Sequence, residues 1–167
     1  MGIAEKPDAD ILDVCCGPRM FWFDRERNDT IFMDIRSNTH VEYTHDNGTV
    51  SEWGIDPDIV GDFRNIPFND EEFRMVVFDP PHTIYGNPES FINKKYGLLD
   101  KKTWKDDIQK GFQECMRVLR TGGFLVFKWS DCNIKISNVK PLFPCQPLFG
   151  QRTNATTMWL VFRKEVS

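Results

Sequence analysis

The stretch Ile11-Leu12-Asp13-Val14-Cys15-Cys16-Gly17-Pro18 constrains this chain more than any other. A short apolar run that carries an acid and then breaks at a glycine reads as a buried parallel strand delivering a tight loop at its carboxyl end. In open α/β sheets, ligands sit in the crevice beyond those carboxyl ends. The loop needs little side chain at the closest approach, which Gly17 supplies and the small Cys15 and Cys16 allow. Nucleotide sites and ordinary strand-to-helix turns share this pattern, so the rest of the chain has to decide between them.

A length of 167 residues suits one domain, residues 1–167, around a single core. With 40% apolar and 13% aromatic residues, that core is substantial. No apolar run reaches the length of a bilayer and no leader pattern opens the chain, so a soluble, cytoplasmic protein without a membrane segment is expected. The 5 cysteines follow no metal-ligand spacing and form no even disulfide framework, so reduced thiols and no metal are expected. A net charge of −4 argues against nonspecific nucleic-acid binding by the whole surface, while leaving room for a local basic patch.

Strand one runs from Ile11 to Val14. Arg19 to Arg27 carries the dense cluster Met20 to Phe23 and is expected to form a short helix on the sheet. Thr30 to Met33 is a second strand ending in Asp34, about twenty residues past the first loop. At that spacing a carboxylate meets a ribose diol in dinucleotide folds, although a capping Asp at a strand end looks the same. Around Asp46-Asn47-Gly48 the residues His40 to Trp53 alternate as a hairpin does. Asp58 to Asp62 is a third short strand closing on an acid. Phe73 to Phe78 is strongly β-prone and ends at Asp79-Pro80-Pro81-His82. Two prolines cannot continue a central strand, so the acid is held on a stiffened loop at the sheet edge. Thr83 to Lys102 has no period and reads as a lid or a disordered loop. Trp104 to Leu119 is an amphipathic helix stopped by Thr121-Gly122-Gly123, Phe124 to Trp129 is a fifth strand, and Met158 to Arg163 is a last apolar strand.

With Asp13, Asp34, Asp62 and Asp79-Pro80-Pro81 at strand ends, the chain resembles the class I S-adenosylmethionine-dependent methyltransferases. The resemblance spans nearly the whole chain: Asp13 to Gly17, Asp34, Gly61 to Phe68, Asp79 to His82 and Arg117 to Gly123. The Cys-Cys-Gly-Pro-Arg-Met-Phe-Trp-Phe run, the Asp-Pro-Pro-His and the Phe-Lys-Trp are similar to small enzymes of phages and prophages. The resemblance implies a Rossmann-like α/β fold with helices on both faces. Its sheet would have seven strands, mostly parallel, with Met158 to Arg163 inserted antiparallel.

It also implies roles. Cys15, Cys16 and Gly17 would cradle the methionine moiety and sugar of S-adenosylmethionine, with Ile35 beside them. Asp34 would accept from the ribose hydroxyls, Asp62 from the adenine amine, and Phe63 would offer a main-chain donor. Asp13 would orient the loop or meet the cofactor's ammonium through water. Asp79-Pro80-Pro81-His82 resembles the Asp-Pro-Pro-aromatic motif of enzymes that methylate amino groups. There the Asp79 carboxylate and the Pro80 carbonyl would take the two N–H bonds of the acceptor and aim its lone pair at the methyl. His82 stands where an aromatic ring is usual, and it would stack on the acceptor or act as a base. Basic and aromatic residues interleave in the lid (Tyr85, Phe91, Lys94, Lys95, Tyr96, Lys101), as in surfaces that bind phosphates and unstacked bases, or as in a solvated loop with core anchors. Lys128 is a further candidate at the fifth strand's end.

An N-methyltransferase acting on adenine or cytosine in DNA is the leading expectation. The product cofactor would be S-adenosylhomocysteine, and a partner subunit would supply target recognition. RNA, a protein amide or a small metabolite as acceptor stays open, as does a noncatalytic cofactor-binding scaffold.

Overall fold

The computed structural model describes residue 6 and residues 8–166, and its strands grow from the apolar runs. They are β1 (Ile11–Asp13), β2 (Thr30–Asp34), β3 (Thr39–Thr44), β4 (Val50–Ile55), β5 (Ile59–Val60), β6 (Phe73–Phe78), β7 (Leu119–Ser130), β8 (Phe149–Arg152) and β9 (Thr157–Arg163). The helices are α1 (Phe91–Tyr96), α2 (Trp104–Val118) and α3 (Ile136–Val139), the last continued by a 3-10 turn at Lys140–Leu142.

Seven strands form one sheet in the order β5-β2-β1-β6-β7-β9-β8, and β3 pairs only with β4. From β5 to β7 every neighbouring pair is parallel, while β9 runs antiparallel to both β7 and β8. The inserted antiparallel strand is therefore where the family resemblance put it. The hairpin is also present, closed by Gly48 at φ 80 in the Asp-Asn-Gly turn.

Alternation along the strands sends two sets of side chains to opposite faces. Leu12, Ile31, Met33, Phe78 and Phe127 join the main core with Ile108 and Phe112 of α2. Phe112 stacks on Phe143 with centroids 4.3 Å apart and meets Phe162 edge-on at 5.0 Å, so α2 and the chain after α3 share this face. Phe32 points the other way and is fully buried beneath Trp22, whose ring meets it edge-on at 5.4 Å. The Arg19 guanidinium covers the same ring at 4.0 Å.

The helix expected over Arg19 to Arg27 is not formed; this segment is a succession of turns. Its aromatic residues are consecutive, not three or four apart, so a helix would point them in different directions. Two of them are anchored separately instead. Phe21 meets Trp159 edge-on at 5.5 Å, Trp22 Nε1 donates to Asp13 Oδ2 at 2.8 Å, and Phe23 is exposed. The Gly-Gly pair is not the helix stop that was expected. α2 already ends at Val118, and Leu119 pairs with Phe73. The next register pair is Met75 with Phe124, so Arg120 to Gly123 bulges out of β7, with Gly122 at φ 81. β8 carries no sequence pattern because all its residues are exposed; pairing with β9 makes it a strand.

Candidate active site

Parallel register builds the site before any side chain is considered. Asp13 stands opposite Phe32 on β2 and Val77 on β6, so Asp34 and Asp79, two residues further on, emerge level with Cys15. Asp34 pairs with Val60 on β5, which leaves Asp62 two residues past that edge. A cavity of about 390 Å³ opens above these ends, within the span of small-molecule sites. Cys15 to Gly17, Asp34, Ile35, Asp62, Phe63 and Asp79 to His82 all line it.

Asp13 does not line this cavity but lies beneath its floor. Fully buried, its Oδ1 accepts from Cys15 N at 3.3 Å and its Oδ2 from the Trp22 indole. Burial pushes its carboxyl up to about 7, and those two hydrogen bonds only partly oppose the rise. In this position it orients the Cys15–Gly17 loop.

Asp34 is buried, and four donors fill its four lone-pair positions. Oδ2 accepts from Gly17 N at 2.9 Å and from Arg36 Nη2 at 3.0 Å, and Oδ1 from Arg36 N at 3.0 Å and Arg36 Nε at 2.9 Å. Asp62 repeats the arrangement with Arg64, which donates through its main-chain N at 2.9 Å, Nε at 2.9 Å and Nη2 at 2.6 Å. These hydrogen bonds hold the Asp62 carboxyl below its usual range. Neither arginine was singled out from the sequence, although the signal was there: Asp-Ile-Arg and Asp-Phe-Arg recur at the ends of two neighbouring strands.

Both arginines also reach outward. Arg36 Nη1 donates to Lys94 O at 2.8 Å, at the end of α1, and Arg64 Nη1 donates to Asp107 Oδ1 at 3.1 Å, in the first turn of α2. The expected lid is thus a folded cover. Ser90 caps α1 through its hydroxyl, and Phe91 packs between Tyr43 at 4.6 Å and Trp53 at 6.0 Å on the hairpin. The hairpin that interrupts the βα alternation is the buttress of α1. Gly97 ends α1 at φ 79, and a Cβ there would stand 2.7 Å from Pro81 Cγ, so only glycine lets the cover rest on the proline corner.

Asp79 lies one step past the Phe78–Phe127 pair, level with Lys128 on β7. Lys128 Nζ donates to Asp79 Oδ2. Burial raises the Asp79 carboxyl and the Lys128 ammonium pulls it back. Burial likewise lowers the His82 imidazole, against the attraction of Asp79. The His82 ring sits 6.1 Å from Tyr96 and 6.4 Å from Trp129, so one ring of α1 and one of β7 flank it. Among the described residues no His, Cys, Asp and Glu side chains gather as a metal site, and no helix is long and apolar enough to cross a membrane.

No family model matches the chain, and no curated protein matches it. Solved structures do. The chain is similar to the PH0226 protein of Pyrococcus horikoshii, at 14% identity over 93% of this chain and 81% of that one, with a TM-score of 0.52. It is similar to an S-adenosylmethionine-dependent methyltransferase of Methanosarcina mazei, at 13% identity over 96% and 94% and a TM-score of 0.52. It is also similar to the cyclase SpnF, at 9% identity over 94% and 74% and a TM-score of 0.54. Such distant likeness speaks for architecture, and a cyclase among these structures shows that the architecture hosts more than one reaction. By strand order, by the inserted antiparallel strand and by this likeness, the chain has the Rossmann-like α/β fold of class I S-adenosylmethionine-dependent methyltransferases.

Proposed function

We propose that this chain is an S-adenosylmethionine-dependent N-methyltransferase that acts on an amino group, in first place adenine N6 or cytosine N4 of DNA. The observation that carries the reading is the convergence of Asp34, Asp62 and Asp79-Pro80-Pro81-His82 on one cavity of about 390 Å³. The lining fits the cofactor: two strand-end carboxylates for hydroxyl and amine donors, the Phe63 ring for a flat base, and a loop of small residues for close approach. When bound, S-adenosylmethionine would supply an electrophilic methyl group on a sulfonium.

The chain's own residues would do the rest. Asp34 would accept from the ribose hydroxyls once Arg36 releases Nε and Nη2, since all its lone pairs are otherwise taken. Asp62 would accept from the adenine amine in the same way once Arg64 turns aside. Asp79 and the Pro80 carbonyl would hold the two N–H bonds of the acceptor, so that the nitrogen lone pair faces the methyl. His82, whose charged form burial disfavours, would receive the proton that the methylated nitrogen gives up, or pass it to water. A base in a duplex would have to be flipped out to reach this corner, and a partner subunit would choose the target.

The test is labelled S-adenosylmethionine incubated with separate DNA, RNA and protein fractions of a bacterial lysate. Label in the DNA supports the reading. Label confined to RNA or protein moves the acceptor to that class. Asp79→Ala should abolish transfer while the affinity for S-adenosylhomocysteine stays close to wild type. Transfer that survives in Asp79→Ala, or no label in any fraction, rejects it.

A further inference from the structure

The four buried or half-buried acids at the sheet's carboxyl edge differ in how many lone pairs are already in use. Four hydrogen bonds reach Asp34, four reach Asp62 and two reach Asp13. Asp79 accepts from Lys128 alone among the described residues, and only through Oδ2. Lys128 is itself fixed. It pairs with Trp159 across β9, and its Nζ stands 5.6 Å from the Trp159 ring and 5.3 Å from the Phe21 ring. The two rings and the carboxylate leave the ammonium little freedom and keep it on Oδ2 of Asp79.

We propose that Lys128 is a positioning residue that occupies Oδ2 of Asp79 and leaves Oδ1, with the Pro80 carbonyl, as the paired acceptors for one unsubstituted NH₂ group. This rests on the methyltransferase reading and adds to it the group that orients its acceptor-binding carboxylate. An isolated carboxylate at this corner could rotate, or it could take up a proton and present a donor to the acceptor nitrogen. Lys128 opposes both failures by holding one oxygen and by pulling the carboxyl back against the rise that burial imposes. The other titratable groups around Asp79 do not replace it. Burial disfavours the charged form of His82, whose pull on Asp79 is smaller than that of Lys128, and Asp13 beneath the floor and the Cys15 thiol offer no positive charge.

The experiment uses the full chain with Lys128→Met, which keeps most of the apolar stem and removes the charge, and Lys128→Arg, which keeps the charge. Affinity for S-adenosylhomocysteine is read by calorimetry. Methyl transfer is read against whichever fraction takes label from the wild type, and the Asp79 carboxyl is titrated by carbon-13 NMR. Lys128→Met is expected to bind S-adenosylhomocysteine within about twofold of wild type, lose at least about tenfold in transfer at pH 7, and shift the acid limb of its rate profile upward by about one pH unit or more. Lys128→Arg is expected to recover most of the rate. A Lys128→Met rate and acid limb matching wild type would overturn the proposal while leaving the methyltransferase reading intact. If the wild type labels no fraction, that reading fails on its own, and the carboxyl titration still decides: an unmoved Asp79 in Lys128→Met refutes the pairing, and an upward move supports it.

Discussion

Asp34 and Asp62 are each held by the arginine two residues on, and this changes what a ligand must do to bind. Under the proposed function a ribose hydroxyl would not meet a free carboxylate at Asp34; it would have to take lone pairs from Arg36, which also grips Lys94 O of the cover. The exchange is feasible because Arg36 is partly exposed and water can satisfy its guanidinium, whereas the side chain of Asp34 is only 3% exposed and needs donors in every state. Under the proposed function, Asp34→Asn should weaken S-adenosylhomocysteine binding by about 2 kcal/mol, or about thirtyfold in Kd, because charge-assisted hydrogen bonds become neutral ones and one acceptor oxygen is lost. Calorimetry checks it. An unchanged Kd would place the ribose elsewhere. Both acids and both arginines could be read from the chain, but that each arginine folds back on its own acid could not, because a side chain's direction depends on what surrounds it.

The α2 helix shapes the cavity wall through close approach at a glycine. A Cβ on Gly111 would stand 2.5 Å from the Phe63 ring and 2.7 Å from the Phe78 ring. Phe63 lines the cavity and Phe78 is fully buried, so the helix presses directly on the site. In Gly111→Ala two effects compete. Helix propensity gains about 1 kcal/mol, while forcing a methyl into packed rings costs about 1–3 kcal/mol. The rings should prevail, lowering Tm by roughly 2–4 °C and weakening S-adenosylhomocysteine binding as Phe63 is displaced. A thermal melt that rises would show that the rings yield freely. The helix itself was legible because Ile108, Phe112 and Cys115 recur on one face. The gap left by Gly111 was not, since periodicity says which residues face the core but not how near the sheet lies.

At the scale of the whole molecule, burial of acids ties stability to pH. Burial pushes the folded Asp13 carboxyl up to about 7 from an ordinary 3.8, so between about pH 4 and 7 the folded chain holds a proton that the unfolded chain has released. Stability from this group is therefore highest at the acid end of that window and falls as pH rises through it, by at most about 4 kcal/mol. Asp79, raised as well, adds the same sign, and His82, lowered, opposes it below its unfolded pKa. Denaturant melts from pH 5 to 8 should show Asp13→Asn flattening the decline; equal slopes in both proteins would mean that Asp13 is not buried as a titrating acid. What the amino-acid sequence determined by itself was local: apolar runs long enough for strands, acids at their ends, a hairpin turn with Gly48, and a proline corner no central strand can absorb. The tertiary structure alone decided three things: that Lys128 stands level with Asp79, that Trp22 in a run of turns covers Phe32 without a helix, and that the exposed segment Phe149–Arg152 is a strand. Each depends on partners far along the chain, and local preference and periodicity carry no record of which strand will lie beside which.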